Sequence, residues 1–179
     1  MPRQINIDDM HSRHRALTES IAGVYREAAA VCLSRFHSSP TEIKIVDNES
    51  QSHADISWSG PDERIEAAWA NETDTTEAGA YGCVIAGVEL SRGLFAVRRA
   101  ETGTGADYYI GPQGSGDDLE KCLRLEVSGL SDGTSNEVNR RLTIKIQQAL
   151  EGYSSLPALA GVVGFSAKLM MIKDVGETR

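Results

Sequence analysis

The sequence predicts an α/β domain in which a mixed β-sheet is flanked by helices. Two features lead to this: some segments place apolar residues at three- and four-residue spacing, whereas shorter ones alternate apolar with polar residues between glycine-rich loops. The chain has 179 residues, which suits a single domain, and a domain of that size buries a core without disulfides or metal ions. Because 40% of the residues are hydrophobic and 25% charged, we expect an ordered chain apart from short ends.

The N-terminal part, residues 1–73, is predicted to be an extension made of a long helix and a hairpin. Residues 9–35 carry apolar side chains at helical spacing with Arg and Glu between them. Residues 41–46 and 54–58 alternate in the period of strands and predict a hairpin across the polar stretch between them. A short helix should follow, started by Pro61.

The second part, residues 74–166, is predicted to run in the order helix, three strands, helix, strand. Asp74 and Glu77 have the spacing of a capping box at the start of the first helix, and Thr134 and Glu137 have it at the start of the second. Residues 167–179 would be an edge strand and a tail. The elements of the second part are predicted over residues 75–91, 94–99, 106–111, 121–129, 134–151 and 160–166.

Charge and composition restrict the classes of function. The net charge of −8 argues against a protein that coats nucleic acid, but all the excess acid lies in residues 1–91, and residues 92–179 are balanced. The sequence has neither the pattern of a signal peptide nor an apolar run of membrane-spanning length. Its three cysteines form no CxxC pair and are expected to be reduced. We therefore expect a cytoplasmic protein without a membrane partner, with His11 and His14 at its surface.

Three carboxylates occupy informative places in the second part. Glu77 precedes apolar residues at helical spacing, so it shares the apolar face of its helix, although a capping role alone also explains it. Glu126 lies on a strand expected to be buried on both faces, and the alternative is an ion pair with Arg124 on a solvated face. Asp107 lies in the second strand, where a strand-entry turn is the alternative. A buried carboxylate needs a positive or hydrogen-bonding partner.

The stretches GTGADYYIG and LRLEVSG, which contain Asp107 and Glu126, resemble the PD-(D/E)XK nuclease superfamily. They look like an uncharacterised bacterial subgroup of it, of the type met near mobile elements and phage-defence genes. That superfamily has the order helix, three strands, helix, strand, with an acidic residue on the first helix, Asp on the second strand and (D/E)-x-K on the third. The resemblance covers about half the chain and implies a restriction-endonuclease-like αβββαβ core in which Glu77 is the helix acid.

The resemblance also implies hydrolysis of phosphodiester bonds with Mg²⁺ or Mn²⁺ bound by the three carboxylates. Such an ion polarises the phosphate and lowers the pKa of the attacking water. Ser128 stands where the superfamily has its lysine, and Lys145 on the following helix is the candidate replacement, with a solvated helix face as the alternative. Ser128 and Gln148 would be polar helpers. The predicted catalytic set is Glu77, Asp107, Glu126, Ser128, Lys145 and Gln148, with Glu77, Asp107 and Glu126 as the metal ligands.

The leading hypothesis is a metal-dependent nuclease that acts on nucleic acid as a small effector or subunit of a bacterial defence or mobile-element system. The replacement of the motif lysine by Ser128 favours a second hypothesis. In that hypothesis the protein is a catalytically inactive scaffold or partner-binding subunit of a larger complex. Both hypotheses include a protein partner, and both are compatible with a homo-oligomer.

Overall fold

The computed structural model describes residues 1–176, which form one mixed eight-stranded sheet and four α-helices. The predicted α/β class is confirmed. The strands are β1 (Gln4–Ile5), β2 (Thr41–Asp47), β3 (Ser50–Ile56), β4 (Phe95–Arg99), β5 (Tyr108–Gly111), β6 (Leu123–Leu130), β7 (Ala158–Gly164) and β8 (Leu169–Val175). The helices are α1 (Glu19–Ser34), α2 (Glu63–Ala68), α3 (Glu72–Arg92) and α4 (Ser135–Glu151).

Helices cover both faces of the sheet. Alternation along β7 divides the two cores, because Val163 packs in the core that includes α1 and α3, whereas Val162 packs in the core under α4. The approach of α3 to the sheet is close, since a Cβ atom at Gly161 would lie only 2.4 Å from Cγ1 of Val84. A glycine at this position of β7 is therefore required for α3 to reach the sheet.

The sheet order is β1-β3-β2-β8-β7-β6-β5-β4. β4, β5 and β6 pair antiparallel in succession, and α4 crosses over so that β7 lies parallel to β6. The strands predicted over residues 94–99, 106–111 and 121–129 are therefore neighbours in one sheet, as expected. The two flanking helices also begin and end within three residues of their predicted bounds.

Only one of the two predicted capping boxes forms. At the start of α4, Thr134 accepts from the N–H of Glu137, and Glu137 accepts from the N–H of Thr134. The box predicted at Asp74 and Glu77 is wrong, because α3 begins at Glu72 and is capped by the side chain of Asn71. Asn is as good a cap as Asp, so two overlapping signals competed, and the earlier one starts the helix.

The first helix is shorter than predicted. It begins at Glu19, where the side chain of Thr18 accepts a hydrogen bond from the N–H of Ile21. The preceding residues include only one turn of 3₁₀-helix, Met10–Ser12, although their apolar spacing imitates a continuation of α1. His14, expected at the surface, is fully buried in this segment.

The hairpin is tighter than predicted. β2 and β3 pair from Thr41 opposite Ile56 to Asp47 opposite Ser50, so most of the polar stretch predicted to be a loop belongs to β3. Asn48 has a φ of 51°, in the left-handed region that a two-residue hairpin turn requires. The polar side chains of this stretch mark an exposed strand rather than a loop.

The last strand lies inside the sheet rather than at its edge, contrary to the prediction. β8 runs parallel to β2 and antiparallel to β7, so it joins the N-terminal hairpin to the strands of the second part. The last three residues of the predicted tail lie outside the described residues. Within residues 1–176, no helix combines the length and the apolar character needed to cross a bilayer.

Candidate functional site

A cleft of about 530 Å³ opens beside β6, between α3 and α4. It exists because β5 is short: β5 pairs with β6 only from Tyr108 to Ile110, which leaves the edge of β6 open from Val127 onward. Helices from opposite faces of the sheet overhang this open edge. The side chains that matter below reach the cleft from Tyr81 on α3, Asp107 before β5, Ser128 on β6, and Arg141 and Lys145 on α4.

Asp107 is fixed at the floor of the cleft. It immediately precedes β5, and its N–H donates to the carbonyl of Leu125 at 2.8 Å, so the β5–β6 ladder extends to it. Its Oδ2 accepts from the N–H of Val127 at 2.8 Å, and its Oδ1 accepts from the hydroxyl of Tyr81 at 2.8 Å. The carboxylate of Asp107 therefore does not stabilise a local turn, because its hydrogen-bond partners belong to β6 and α3 and it lines the cleft.

Glu126 and Lys145 form a largely buried ion pair. The Nζ atom of Lys145 donates to Oε1 of Glu126 at 2.9 Å, and the two side chains are 19% and 10% exposed. Lys145 reaches inward from α4, so the alternative in which it belongs to a solvated helix face is wrong. Lys145 also lines the cleft, together with Asp107.

Arg124 does not pair with Glu126. Its guanidinium donates to the carbonyls of Thr104, Ala149 and Leu156 at 2.7 to 2.9 Å, and the residue is only 6% exposed. These bonds tie the loop before β5 and the last turn of α4 to β6. The alternative of an Arg-Glu pair on a solvated face is therefore wrong. Arg124 has a structural role, and Glu126 pairs with Lys145 instead.

Opposing effects act on the pKa of Glu126. Burial raises the pKa of the Glu126 carboxyl above its usual range, the negative charge of Asp107 raises this pKa further, and the hydrogen bond from Lys145 opposes both. Asp107 thus lies near enough for the two carboxylates to influence each other. A pair of carboxylates that repel each other in a poorly solvated place favours an added cation.

Glu77 occupies a different environment from the one predicted. It lines the cleft but is exposed, although Tyr81, one turn later on the same side of α3, is buried. The residue of this turn that packs on β6 is Thr76, against Gly129, whereas Glu77 points into the cleft beside it. Across residues 1–176, no three Asp, Glu, His or Cys side chains converge closely enough to hold one metal ion.

The predicted polar helpers separate into two groups. Ser128 is half-buried and lines the cleft, and Arg141, one turn before Lys145, lines it as well. Gln148 is exposed and lies on a separate cavity of about 420 Å³, together with Glu126 and the glycine loop before Asp107. The stripe expected along α4 therefore divides, and only its first two members, Arg141 and Lys145, face Asp107.

Two residues of this network were not identified from the sequence as members of the site. Tyr81 was assigned to the apolar face of its helix, but its hydroxyl donates to Asp107 and accepts from Nη2 of Arg99 at 3.2 Å. Arg99 lies opposite Tyr108 in the β4–β5 pair, and its Cζ atom is 4.8 Å from the ring centroids of both Tyr81 and Tyr108. The register of β4 against β5 is the signal that could have revealed this contact.

The site thus combines the carboxylates of Asp107 and Glu126 with the ammonium of Lys145 on α4 and the guanidinium of Arg99 on β4. Hard oxygen ligands suit a divalent cation, and the nearby nitrogen donors suit a phosphate oxygen. Comparisons of the chain with family models, with curated proteins and with solved structures found no match.

Proposed function

We propose that this protein is a metal-dependent nuclease of PD-(D/E)XK type, which hydrolyses phosphodiester bonds with Mg²⁺ or Mn²⁺. The observation that carries the proposal is the 2.9 Å bond from Lys145 to Glu126 beside Asp107. Phosphodiester hydrolysis needs carboxylates for a metal ion and a cation that stabilises developing charge. In this chain α4 supplies that cation, while Ser128 occupies the motif position.

The topology supports the same assignment. The order α3, β4, β5, β6, α4, β7 is the αβββαβ order of a restriction-endonuclease-like core, with β7 parallel to β6. Asp107 stands at the start of the second of the three strands and Glu126 in the third. The N-terminal hairpin and β8 would then be additions that extend this core on one side.

The residues fit a hard divalent cation by charge and by donor type. Asp107 and Glu126 would hold it, whereas Glu77, the third predicted ligand, lies at the exposed rim of the cleft and does not converge with them in the described residues. Burial and the negative charge of Asp107 raise the pKa of Glu126, and a bound cation would offset both effects. When bound, the ion would polarise the phosphate and acidify the attacking water.

The other side chains would act on the substrate. Lys145 would stabilise the charge that develops on the phosphate oxygens, and Arg141 would attract the phosphate to the cleft. Ser128 would orient a water or a phosphate oxygen through its hydroxyl. Gln148 would act only from the neighbouring cavity, next to Glu126.

The test is cleavage of single-stranded DNA, duplex DNA and RNA with Mg²⁺ or Mn²⁺. We expect Asp107→Asn and Glu126→Gln to abolish cleavage and Lys145→Met to reduce it by at least about a hundredfold. Asp118→Asn, which changes an exposed carboxylate paired with Lys121, is the matched control and should cut like the wild type. Cleavage that survives Glu126→Gln would contradict the assignment of the site.

We place this nuclease in the cytoplasm as an effector or subunit of a bacterial defence or mobile-element system. Its net charge of −8 opposes tight binding to nucleic acid by the chain alone, so a partner protein would deliver the substrate. The isolated chain should therefore bind nucleic acid weakly and lose this binding steeply as salt is added.

One observation favours the second candidate, a catalytically inactive scaffold. Lys145 already neutralises Glu126, so this pair is satisfied without a metal ion. In a scaffold the ion pair would only hold α4 against β6, and divalent cations would neither bind nor stabilise the fold. The effect of Mn²⁺ on thermal unfolding separates the two candidates.

A further inference from the structure

Arg99 lies beside the cleft, next to Tyr81 and Asp107, which line it. Its guanidinium lies against two aromatic rings, with Cζ 4.8 Å from the centroid of Tyr81 and 4.8 Å from that of Tyr108. The ring of Tyr108 is itself anchored, because its hydroxyl hydrogen-bonds that of Tyr25 at 2.6 Å. The aromatic contacts therefore restrict the orientation of the guanidinium plane before any ligand arrives.

Most of the hydrogen-bonding capacity of Arg99 remains available. A guanidinium has five N–H donors, and within residues 1–176 that of Arg99 makes one hydrogen bond, to the hydroxyl of Tyr81. The side chain is 51% exposed, so the remaining donors are open to solvent. An arginine held by its face with its donors free matches the geometry of phosphate recognition.

Charge neutralisation of Asp107 does not explain this arrangement. The Nη1 atom of Arg99 lies 3.9 Å from Oδ1 of Asp107, beyond hydrogen-bond distance, and Asp107 already accepts from Tyr81 and from the N–H of Val127. A close arginine–carboxylate pair can form two parallel hydrogen bonds. Arg92 does so with Asp47 elsewhere in this chain.

We propose that Arg99 is a substrate-binding residue. It contacts the phosphate of the nucleic acid that neighbours the scissile phosphate in front of Asp107. This inference rests on the proposed nuclease function and adds the second anchor for the substrate strand. Tyr81 connects the two places, since its hydroxyl accepts from Arg99 and donates to Asp107. With Lys145 and Arg141 on the α4 side, Arg99 gives the strand a cation on the β4 side of the carboxylates.

The experiment measures binding of a fluorescent DNA oligonucleotide, single-stranded or duplex, by anisotropy at several salt concentrations. Saturating Ca²⁺ replaces Mg²⁺ to slow cleavage while occupying the same oxygen ligands. We expect Arg99→Gln to weaken binding by about tenfold and to lower the slope of log affinity against log salt by about one. Arg99→Lys should restore the slope and only part of the affinity, because lysine keeps the charge without the planar fork.

Arg98→Gln is the matched control. Arg98 is the preceding residue of β4, is similarly exposed, and pairs with Glu101 on the opposite side of the strand. The Arg98→Gln variant should leave unchanged both the affinity for the oligonucleotide and the slope of log affinity against log salt. Mn²⁺ binding, followed by electron paramagnetic resonance, provides a second readout, and Arg99→Gln should retain it.

The outcomes separate the two proposals. If the wild type binds Mn²⁺ and the oligonucleotide, and Arg99→Gln binds the oligonucleotide with unchanged affinity and slope, the Arg99 inference is wrong while the nuclease proposal stands. The same holds if Arg99→Gln loses oligonucleotide binding only through lower metal affinity and saturating Ca²⁺ restores it. If the wild type binds neither Mn²⁺ nor the oligonucleotide, the nuclease proposal fails and takes the inference with it.

Discussion

Lys145 on α4 and Glu126 on β6 form an ion pair at the side of the cleft, with 2.9 Å between Nζ and Oε1 and little exposure of either side chain. The pair joins the crossover helix to the strand that it covers. Each partner has a counter-charge in a place where solvent compensates poorly. The stability of the fold and the chemistry of the site therefore depend on the same two residues.

Removal of Lys145 should destabilise the protein through the carboxylate left behind. We expect Lys145→Met to lower the free energy of unfolding by about 2 kcal/mol at neutral pH, because Glu126 loses its cation next to Asp107. The double substitution Lys145→Met with Glu126→Gln should recover most of this loss. Urea unfolding measures both effects, and Lys173→Met on the exposed side of β8 is the control. Equal losses in the single and double variants would show that packing of the lysine stem matters instead.

His14 should make stability depend on pH. Burial lowers the pKa of His14, and the contact of Nε2 with Glu89 raises this pKa by less than burial lowers it. Nδ1 accepts a hydrogen bond from the N–H of Ala96, as the neutral ring allows. In the unfolded chain the imidazole of His14 therefore takes up a proton near pH 6.5, whereas in the folded chain it does so only at lower pH. Its contribution to stability is complete above pH 6.5 and falls as the pH drops toward the lowered folded pKa.

The measurement is the free energy of unfolding between pH 7 and pH 5. The wild type should lose up to about 1.4 kcal/mol more per pH unit than His14→Gln in the window where His14 titrates. His53→Gln, at an exposed position of β3, should leave the pH dependence of the wild type unchanged. A pH profile of His14→Gln that matches the wild type would show that another group controls this range.

Two glycines should respond to alanine in opposite directions. Gly161→Ala places a methyl group 2.4 Å from Val84 Cγ1, which should force α3 from the sheet and cost about 2 kcal/mol. Gly23 lies inside α1 with no atom within 4 Å of the position of a Cβ, so Gly23→Ala should stabilise the protein by up to about 1 kcal/mol. Thermal unfolding of both variants checks this pair, and a stabilising Gly161→Ala would refute the tight contact of α3 with β7.

Sequence patterns predicted the elements whose ends are marked by local chemistry. The capping box of Thr134 and Glu137 is such a mark, and it identified α4 almost to the residue. The closeness of Asp107, just before β5, to Glu126 on the neighbouring β6 followed from the order of the elements alone. The spacing of Lys145 placed it only on a polar stripe beside the apolar stripe of α4, and its contact with Glu126 is what reveals its inward direction.

Features that depend on distant parts of the chain were missed. β8 was predicted at an edge because its pairing with β2 is set by residues more than a hundred positions away. Glu77 was predicted to be buried because helical spacing identifies an apolar face but not which of its residues contact the sheet; Thr76 packs on Gly129, and Glu77 faces the cleft. The Arg99–Tyr108 contact required the register of β4 against β5, which includes an irregularity after Ala96.

Divalent cations should stabilise the folded protein if the carboxylates hold one. A ligand that binds only the folded state adds about 2.7 kcal/mol to the free energy of unfolding at a hundred times its dissociation constant. We therefore expect Mn²⁺ to raise the melting temperature of the wild type, and Asp107→Asn to remove the shift. Glu77→Gln should reduce the shift without removing it, because Glu77 stands at the exposed rim of the cleft.

The behaviour of Lys145→Met makes this prediction specific. Without the ammonium, Glu126 has no competing cation, so Mn²⁺ should bind Lys145→Met at least as tightly as the wild type and produce an equal or larger shift in melting temperature. Cleavage should nevertheless fall, because the cation that stabilises charge on the phosphate is missing. Asp118→Asn, far from the cleft, controls for a general loss of negative charge. If Mn²⁺ shifts neither the wild type nor Lys145→Met, the ion pair is structural and the scaffold replaces the nuclease.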